Sequence, residues 1–338
     1  MPLAFNIEFN MRIIPQKWIL IIGLIFSLGF QEVYSQQLSH FSLSTINKFQ
    51  FNPAVSVFDN TMVITGVHRN QWTNIAGSPS SQLVNAYLPL DYGISAGGFQ
   101  LATDAIGVEN SLSLSVTYAR MFNFEWGRAS VGLLGGLEQK RIDQSALRTP
   151  GGFYGENEIN HRDPLLDNRN ISSWVPVFGL SAWATYRGIE GGVSIRQLSP
   201  ISHFQNEEIS YRPKGEFSLF VDYFMVLDDG LFFIPSLHVY SDLRKVQTFI
   251  HALAGFNNQY FGGIGIRGYS PNSMDAVALT AGIRLNDRFV FYYNYDIGLS
   301  EIYQAAGSTH EIMLVYRMPE WRSDRTPPPV IYNPRFLE

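Results

Sequence analysis

The side chains in this chain that could do chemistry are seven histidines, His40, His68, His161, His203, His238, His251 and His310, among frequent serines and carboxylates. A hydrolase would need a serine, a histidine and an acid or amide converging on one point, and no serine reads as the strand-to-helix elbow that exposes such a nucleophile. His310-Glu311 is the most suggestive dyad. Neighbours along a strand point to opposite faces, however, so adjacency alone does not make them act together. Asp163, Asp167 and Asn168 are oxygen ligands without the spacing of a calcium loop. The absence of cysteine excludes disulfides, thiolate metal sites and a lipid anchor on an N-terminal cysteine. A net charge of -5 argues against nucleic acid as a partner. The expectation is a non-enzymatic protein with no catalytic residue, no metal and no cofactor.

The elements that hold these residues follow a period of two. In Ser111-Leu112-Ser113-Leu114-Ser115-Val116-Thr117-Tyr118 every second residue is greasy, and small hydroxyl side chains lie between. Successive strand residues point to opposite faces, so the pattern makes a sheet with one oily and one wet face. Phe289, Phe291, Tyr293, Tyr295 and Ile297 oppose Arg288, Tyr292, Asn294 and Asp296 in the same way, as Phe217, Leu219 and Val221 oppose Glu216, Ser218 and Asp222. From about residue 61 to about residue 317 the alternation fills roughly fourteen segments of about ten residues, without a helical segment between.

The connections alternate in length. Counted from a first strand near 61–70, the even connections are short: Leu90-Asp91, Asn123-Phe124-Glu125, Arg187-Gly188, Asp228-Asp229-Gly230, Asn257-Asn258 and Asn286-Asp287. Asn, Asp and Gly suit hairpin turns because they tolerate positive φ. The odd connections are mostly longer: about 71–80, 103–110, 143–172, 199–214, 269–272 and 299–307, with a short exception near Asp242-Leu243-Arg244. Tight turns at one end and longer loops at the other fit an outer-membrane barrel, whose short turns face the periplasm. Ahead of the strands, Arg12 and Lys17 precede the apolar run Trp18–Phe30, and Val33-Tyr34-Ser35 suits a signal peptidase. The predicted organisation is a signal peptide at 1–35, an N-terminal periplasmic or lumenal segment at 36–60, an outer-membrane barrel at 61–318, and a Pro-rich periplasmic tail at 319–338. The fold class is all-β, a transmembrane antiparallel β-barrel of about fourteen strands. Its lumen charges, Arg128, Glu138, Glu190, Arg196, Glu216, Asp222, Arg284 and Asp296, are of mixed sign and are expected to pair across the interior. The Gly-Gly pairs 97-98, 135-136, 191-192 and 262-263 are expected to ease curvature and packing.

Three stretches carry a family resemblance. Phe51-Asn52-Pro53-Ala54 follows the signal; His68-Arg69-Asn70-Gln71-Trp72 with Gly77-Ser78-Pro79 marks the first hairpin; Ser308-Thr309-His310-Glu311-Ile312-Met313-Leu314-Val315-Tyr316-Arg317 closes the strand array. In this order they resemble the PorP/SprF family of outer-membrane proteins, associated with type IX secretion and gliding in Bacteroidetes. His68 stands where the family usually has tyrosine. The resemblance implies a Gram-negative outer-membrane barrel that docks protein partners: type IX secretion components and a large secreted adhesin or other cargo, within outer-membrane lipid. Its contact candidates here are Asn52, Pro53, Arg69, Gln71, Trp72, Pro79, His310 and Glu311. Arg69 and Trp72 are expected at the outer end of the first strand, facing a loop, lipid head groups or a partner. A passive porin or hydrophobic-solute channel is the alternative reading.

Overall fold

The computed structural model describes residues 41–155, 159–163, 170–202, 213, 215–242, 245–268, 274–299 and 306–322. The signal peptide predicted at 1–35, the Pro-rich tail beyond 322, and Asp167 and Asn168 lie outside the described residues.

The alternating segments form fourteen antiparallel strands. They are β1 (Thr61–Asn70), β2 (Ser80–Leu90), β3 (Ser95–Ile106), β4 (Glu109–Phe124), β5 (Gly127–Asp143), β6 (Asn170–Tyr186) and β7 (Ile189–Leu198). The ring continues through β8 (Glu216–Tyr223, resumed as Met225–Asp228), β9 (Leu231–Ser241), β10 (Val246–Phe256), β11 (Tyr260–Arg267), β12 (Ala276–Arg284), β13 (Phe289–Gly298) and β14 (Thr309–Arg322). Each strand pairs with its sequence neighbours, and β1 pairs with β14 from Asn70↔His310 down to Val63↔Arg317. Closure leaves no unpaired strand edge in the wall, as a bilayer requires.

The period of two appears directly in the burial. On β4, Leu114, Val116 and Tyr118 are exposed on the outer face, whereas Ser115, Thr117 and Ala119 are buried inside. The short-turn end uses left-handed residues: φ is +47° at Arg187 and +83° at Gly188, and +50° and +53° at Asn257 and Asn258.

One predicted loop is absent. Instead of a connection over 103–110, β3 and β4 stay paired out to Ile106↔Glu109, leaving only Gly107 and Val108 between them. Thr103, Asp104 and Asn110 read as loop because they are polar, but they belong to a ladder that continues past the apolar band. The same holds for β5 and β6, which pair as far as Asp143↔Asn170 before the longest connection. Within that connection Phe153–Tyr154 and Ile159–Asn160 form a small two-stranded ribbon. At the other end the last strand runs to Arg322 rather than stopping at 318.

Residues 41–59 do not continue the wall. They fold as three short 3-10 turns, Ser42–Thr45, Lys48–Gln50 and Pro53–Phe58, and almost all of them are buried against inward-facing strand residues. The aromatic side chains explain this. Phe41, Leu43 and Phe49 pack into one core with Val63, Leu83, Tyr87, Leu253 and Met313, and Phe51 and Ala54 into another with Trp183, Phe220 and Tyr240. The middle of the barrel interior is occupied by its own chain.

Candidate functional site

An irregular segment inside a barrel has backbone groups that cannot join a strand ladder, and each must find a partner. The wet face of the wall supplies them. Gln100 on β3 donates to the Phe49 carbonyl at 2.9 Å, Ser130 on β5 to Ala54 at 2.7 Å, and Ser194 on β7 to Phe51 at 2.7 Å. The Ala54 N–H donates to Ser181 Oγ on β6 at 3.2 Å. The small hydroxyls between the greasy residues are therefore receptors for this plug.

Asn52 shows why the Phe-Asn-Pro-Ala motif has its form. Its side-chain oxygen accepts the Ala54 N–H at 3.1 Å, capping the turn that Pro53 opens. Its amide nitrogen donates to the Ala182 and Val193 carbonyls of β6 and β7 at 3.1 Å each. A Cβ on Gly192 would lie 2.8 Å from that amide nitrogen, so this glycine makes room for the plug. Asn52→Ala should cost about 2 kcal/mol through the lost cap and wall contacts, read as a lower urea midpoint for the folded barrel.

Charged groups fasten the segment at three places, by hydrogen bonds at the first and by ion pairs at the other two. The first is a fully buried cluster with two guanidiniums and two carboxylates. Arg69 on β1 lies 2.7 Å from both Asp296 on β13 and Glu311 on β14, and Arg267 on β11 lies 3.0 Å from Asp296. Arg69 is 1 % exposed, Asp296 2 % and Glu311 0 %. The plug enters this cluster directly: Glu311 accepts the backbone N–H groups of Ser42 at 2.8 Å and Leu43 at 3.0 Å. Ser42 Oγ donates to Asp296 at 2.8 Å and accepts from Arg69 at 3.0 Å, with Arg267 as a further donor. The second fastening faces it across the lumen, where Lys48 pairs with Glu190 on β7 and lies 2.7 Å from Asp222 on β8. The third is Arg317 on β14 with Asp59 at 2.8 Å. Hydroxyl–imidazole contacts add to these: Ser44 Oγ lies 3.1 Å from His238 Nδ1, and Thr45 Oγ1 3.0 Å from His251 Nδ1.

Several expectations are corrected by this geometry. Arg69 does not face loops, lipid or a partner from the outer rim; it lies in the inward row with Val63, Thr65 and Val67. Glu311 is buried in the same cluster. His310, one residue away, is on the opposite side of the wall, 2.7 Å from the Tyr293 hydroxyl and 3.0 Å from Ser308 Oγ. Gln71, Trp72 and Pro79 do sit at the long-loop end, as expected. Trp72 has φ +54°, the Gln71 N–H donates to the Pro79 carbonyl at 2.9 Å, and Thr73 and Asn74 hydrogen-bond to Ser308 and Ala306 just before β14. These residues hold the first hairpin against the closing strand.

Among the predicted lumen charges, Arg196 pairs with Glu216 at 3.2 Å, Glu190 and Asp222 pair with Lys48 of the plug, and Asp296 pairs with Arg69 and Arg267 of the wall. Arg128 lies over the Phe58 ring at 5.3 Å. Arg284 binds the Asn258 carbonyl at 2.7 Å in the short-turn rim, not a charge across the lumen.

Ser42, Lys48 and Arg267 belong to these contacts, and sequence reasoning did not single them out. Ser42 and Asp296 are 254 residues apart, and nothing in their local sequence links them. Gly93-Ile94-Ser95-Ala96-Gly97 has nucleophile-elbow spacing. Ser95 there is buried at the start of β3 and donates to Asp91 at 2.9 Å, with a strand following it rather than a helix.

A closed strand wall, greasy outside and hydrogen-bonded inside to its own N-terminal segment, is an outer-membrane β-barrel with an internal plug. The family model for the type IX secretion system membrane protein PorP/SprF matches residues 33–316, and the chain belongs to that family. No curated protein matches the chain. Among solved structures it is similar to Omp33 of Acinetobacter baumannii, at 8% identity over 77% of this chain and 98% of that one, with a TM-score of 0.46. It is also similar to the toluene transporter TbuX of Ralstonia pickettii (8% identity, 82% and 93% covered, TM-score 0.45). A FadL homologue of Pseudomonas aeruginosa gives 9% identity, 81% and 93% covered, and a TM-score of 0.43.

Proposed function

We propose that this PorP/SprF barrel is a non-enzymatic, non-conducting scaffold. It docks protein partners of the type IX secretion apparatus at its rims and supports export or surface attachment of large secreted proteins, gliding adhesins among them. The observation that carries the reading is the plug: residues 41–58 occupy the lumen and are fastened to one wall by hydrogen bonds from Ser42 and Leu43 to a buried ion cluster and to the opposite wall by the Lys48 ion pairs. A lumen filled in this way leaves the rims, not a pore, as the working surfaces. Buried charge networks with matched partners also favour one arrangement over sliding alternatives.

The expected result in a strain lacking this protein is loss of specific large proteins from the cell surface, scored by mass spectrometry of surface-shaved peptides. Restoring the gene should return them. An unchanged surface and secreted protein set in the deletion strain would contradict the proposal.

A further inference from the structure

The plug divides the lumen unequally. On the short-turn side it roofs a cavity of about 930 Å³, and a second cavity of about 90 Å³ lies on the long-loop side. The two share no lining residue. The larger lies within the range of small-molecule sites, about 300–1,000 Å³, and opens toward the periplasm.

Its walls are unusual for a barrel lumen. Inward positions facing water are ordinarily polar. Here Ile234, Leu253, Phe261, Val290, Tyr292 and Val315, from strands β9 to β14, form one apolar wall beneath the Phe49 roof. Asn257, Asn258 and Arg284 of the short turns stand at the mouth, while Thr45, Asn47 and Lys48 of the plug, with Ser236 and His251 of the wall, add polar groups deeper in. The charges around it are already engaged: Arg317 with Asp59 at 2.8 Å, Lys48 with Glu190 and Asp222, Arg284 with the Asn258 carbonyl at 2.7 Å, and Asp228 with the Asp229 N–H at 2.8 Å. A charged ligand would have to break those contacts or remain unpaired in the cavity, which is costly.

We propose that this vestibule binds an amphiphile without net charge, its single apolar chain lying against the β9–β14 wall and its polar end at the Asn257-Asn258 mouth. The ligand enters from the periplasm and leaves by the same route, because the plug closes the far end. This makes the barrel a receptor for such a chain rather than a conduit. The inference stands apart from the docking role and can fail without it.

The test uses the full-length protein in nanodiscs with the neutral fluorophore 1-aminoanthracene, displaced by 1-dodecanol, by lysophosphatidylethanolamine or by dodecyl sulfate. The expected result is one saturable site per barrel above the empty-nanodisc background. Both competitors without net charge should displace the dye, their relative strength telling a free amphiphile from a zwitterionic phospholipid-derived chain. Dodecyl sulfate should be weaker by about tenfold or more, a difference of about 1.4 kcal/mol. Leu253→Trp and the milder Leu253→Phe, filling the cavity from β10, should weaken dye binding in that order while keeping the heat-modifiable gel shift of a folded barrel. Overturning results are no saturable component, equal binding in folded filled variants, or displacement by dodecyl sulfate as good as by dodecanol. A site that emerges only after residues 323–338 are removed would make the chain's own tail the occupant and would also overturn the proposal.

Discussion

Arg69→Ala is expected to destabilise the folded barrel by about 3–5 kcal/mol, the usual consequence of removing one partner from a buried charge cluster. In the intact protein two guanidiniums balance two carboxylates within the wall of β1, β11, β13 and β14. Without Arg69, Glu311 keeps only the two plug N–H donors and Asp296 keeps Arg267, so one buried carboxylate lacks a cation. The readout is the urea midpoint of the heat-modifiable gel shift, joined by proteolysis of the 41–58 segment. Replacing Arg69 and Glu311 together by leucine should restore much of the loss, because no charge of that pair is then stranded. A single Arg69→Ala variant as stable as the parent, with a protected plug, would show that the cluster does not hold the segment.

Gly132→Val on β5 should eject the plug without altering any charge. A Cβ at this position would meet Ser181 Oγ, and would lie 2.9 Å from the Ala54 nitrogen and 3.2 Å from its Cα. Backbone cannot retreat as a flexible side chain can, so either the plug or the strand must move, at a cost of about 1–3 kcal/mol. Three positions along the same strand, a Cβ on Gly135 meets nothing within 4 Å, which makes Gly135→Val the matched control. The expected outcome is rapid cleavage of the 41–58 segment by added protease in Gly132→Val and none in Gly135→Val. Equal protection in both would place the plug elsewhere.

The wall was legible because its physics is local. Leu114 and Val116 against Ser115 and Thr117 reveal two faces from sequence alone, and the turn residues Arg187-Gly188 and Asn257-Asn258 mark the hairpins. The end of the 103–110 loop was not legible: Thr103, Asp104 and Asn110 are polar whether they lie in a loop or in a ladder beyond the lipid. Arg69 was half legible. Its parity with Thr65 and Val67 puts it inside, yet an arginine near a strand end reads equally well as a rim residue until its partners are seen. Those partners come from residues 42, 267, 296 and 311, and only ring closure brings them together. The plug lacked a periodic signal because three short 3-10 turns have none. Its aromatic content pointed toward burial, and the seryl lining of the wall was the other half of that clue.

The most direct measurement of the sealed-scaffold claim is planar-bilayer recording of purified full-length protein beside a variant lacking residues 41–58. Silence from the parent and steady, ohmic conductance from the deletion variant is the predicted pair of results. Steady conductance of equal size from both would contradict it, since the lumen would then be open with the N-terminal segment in place.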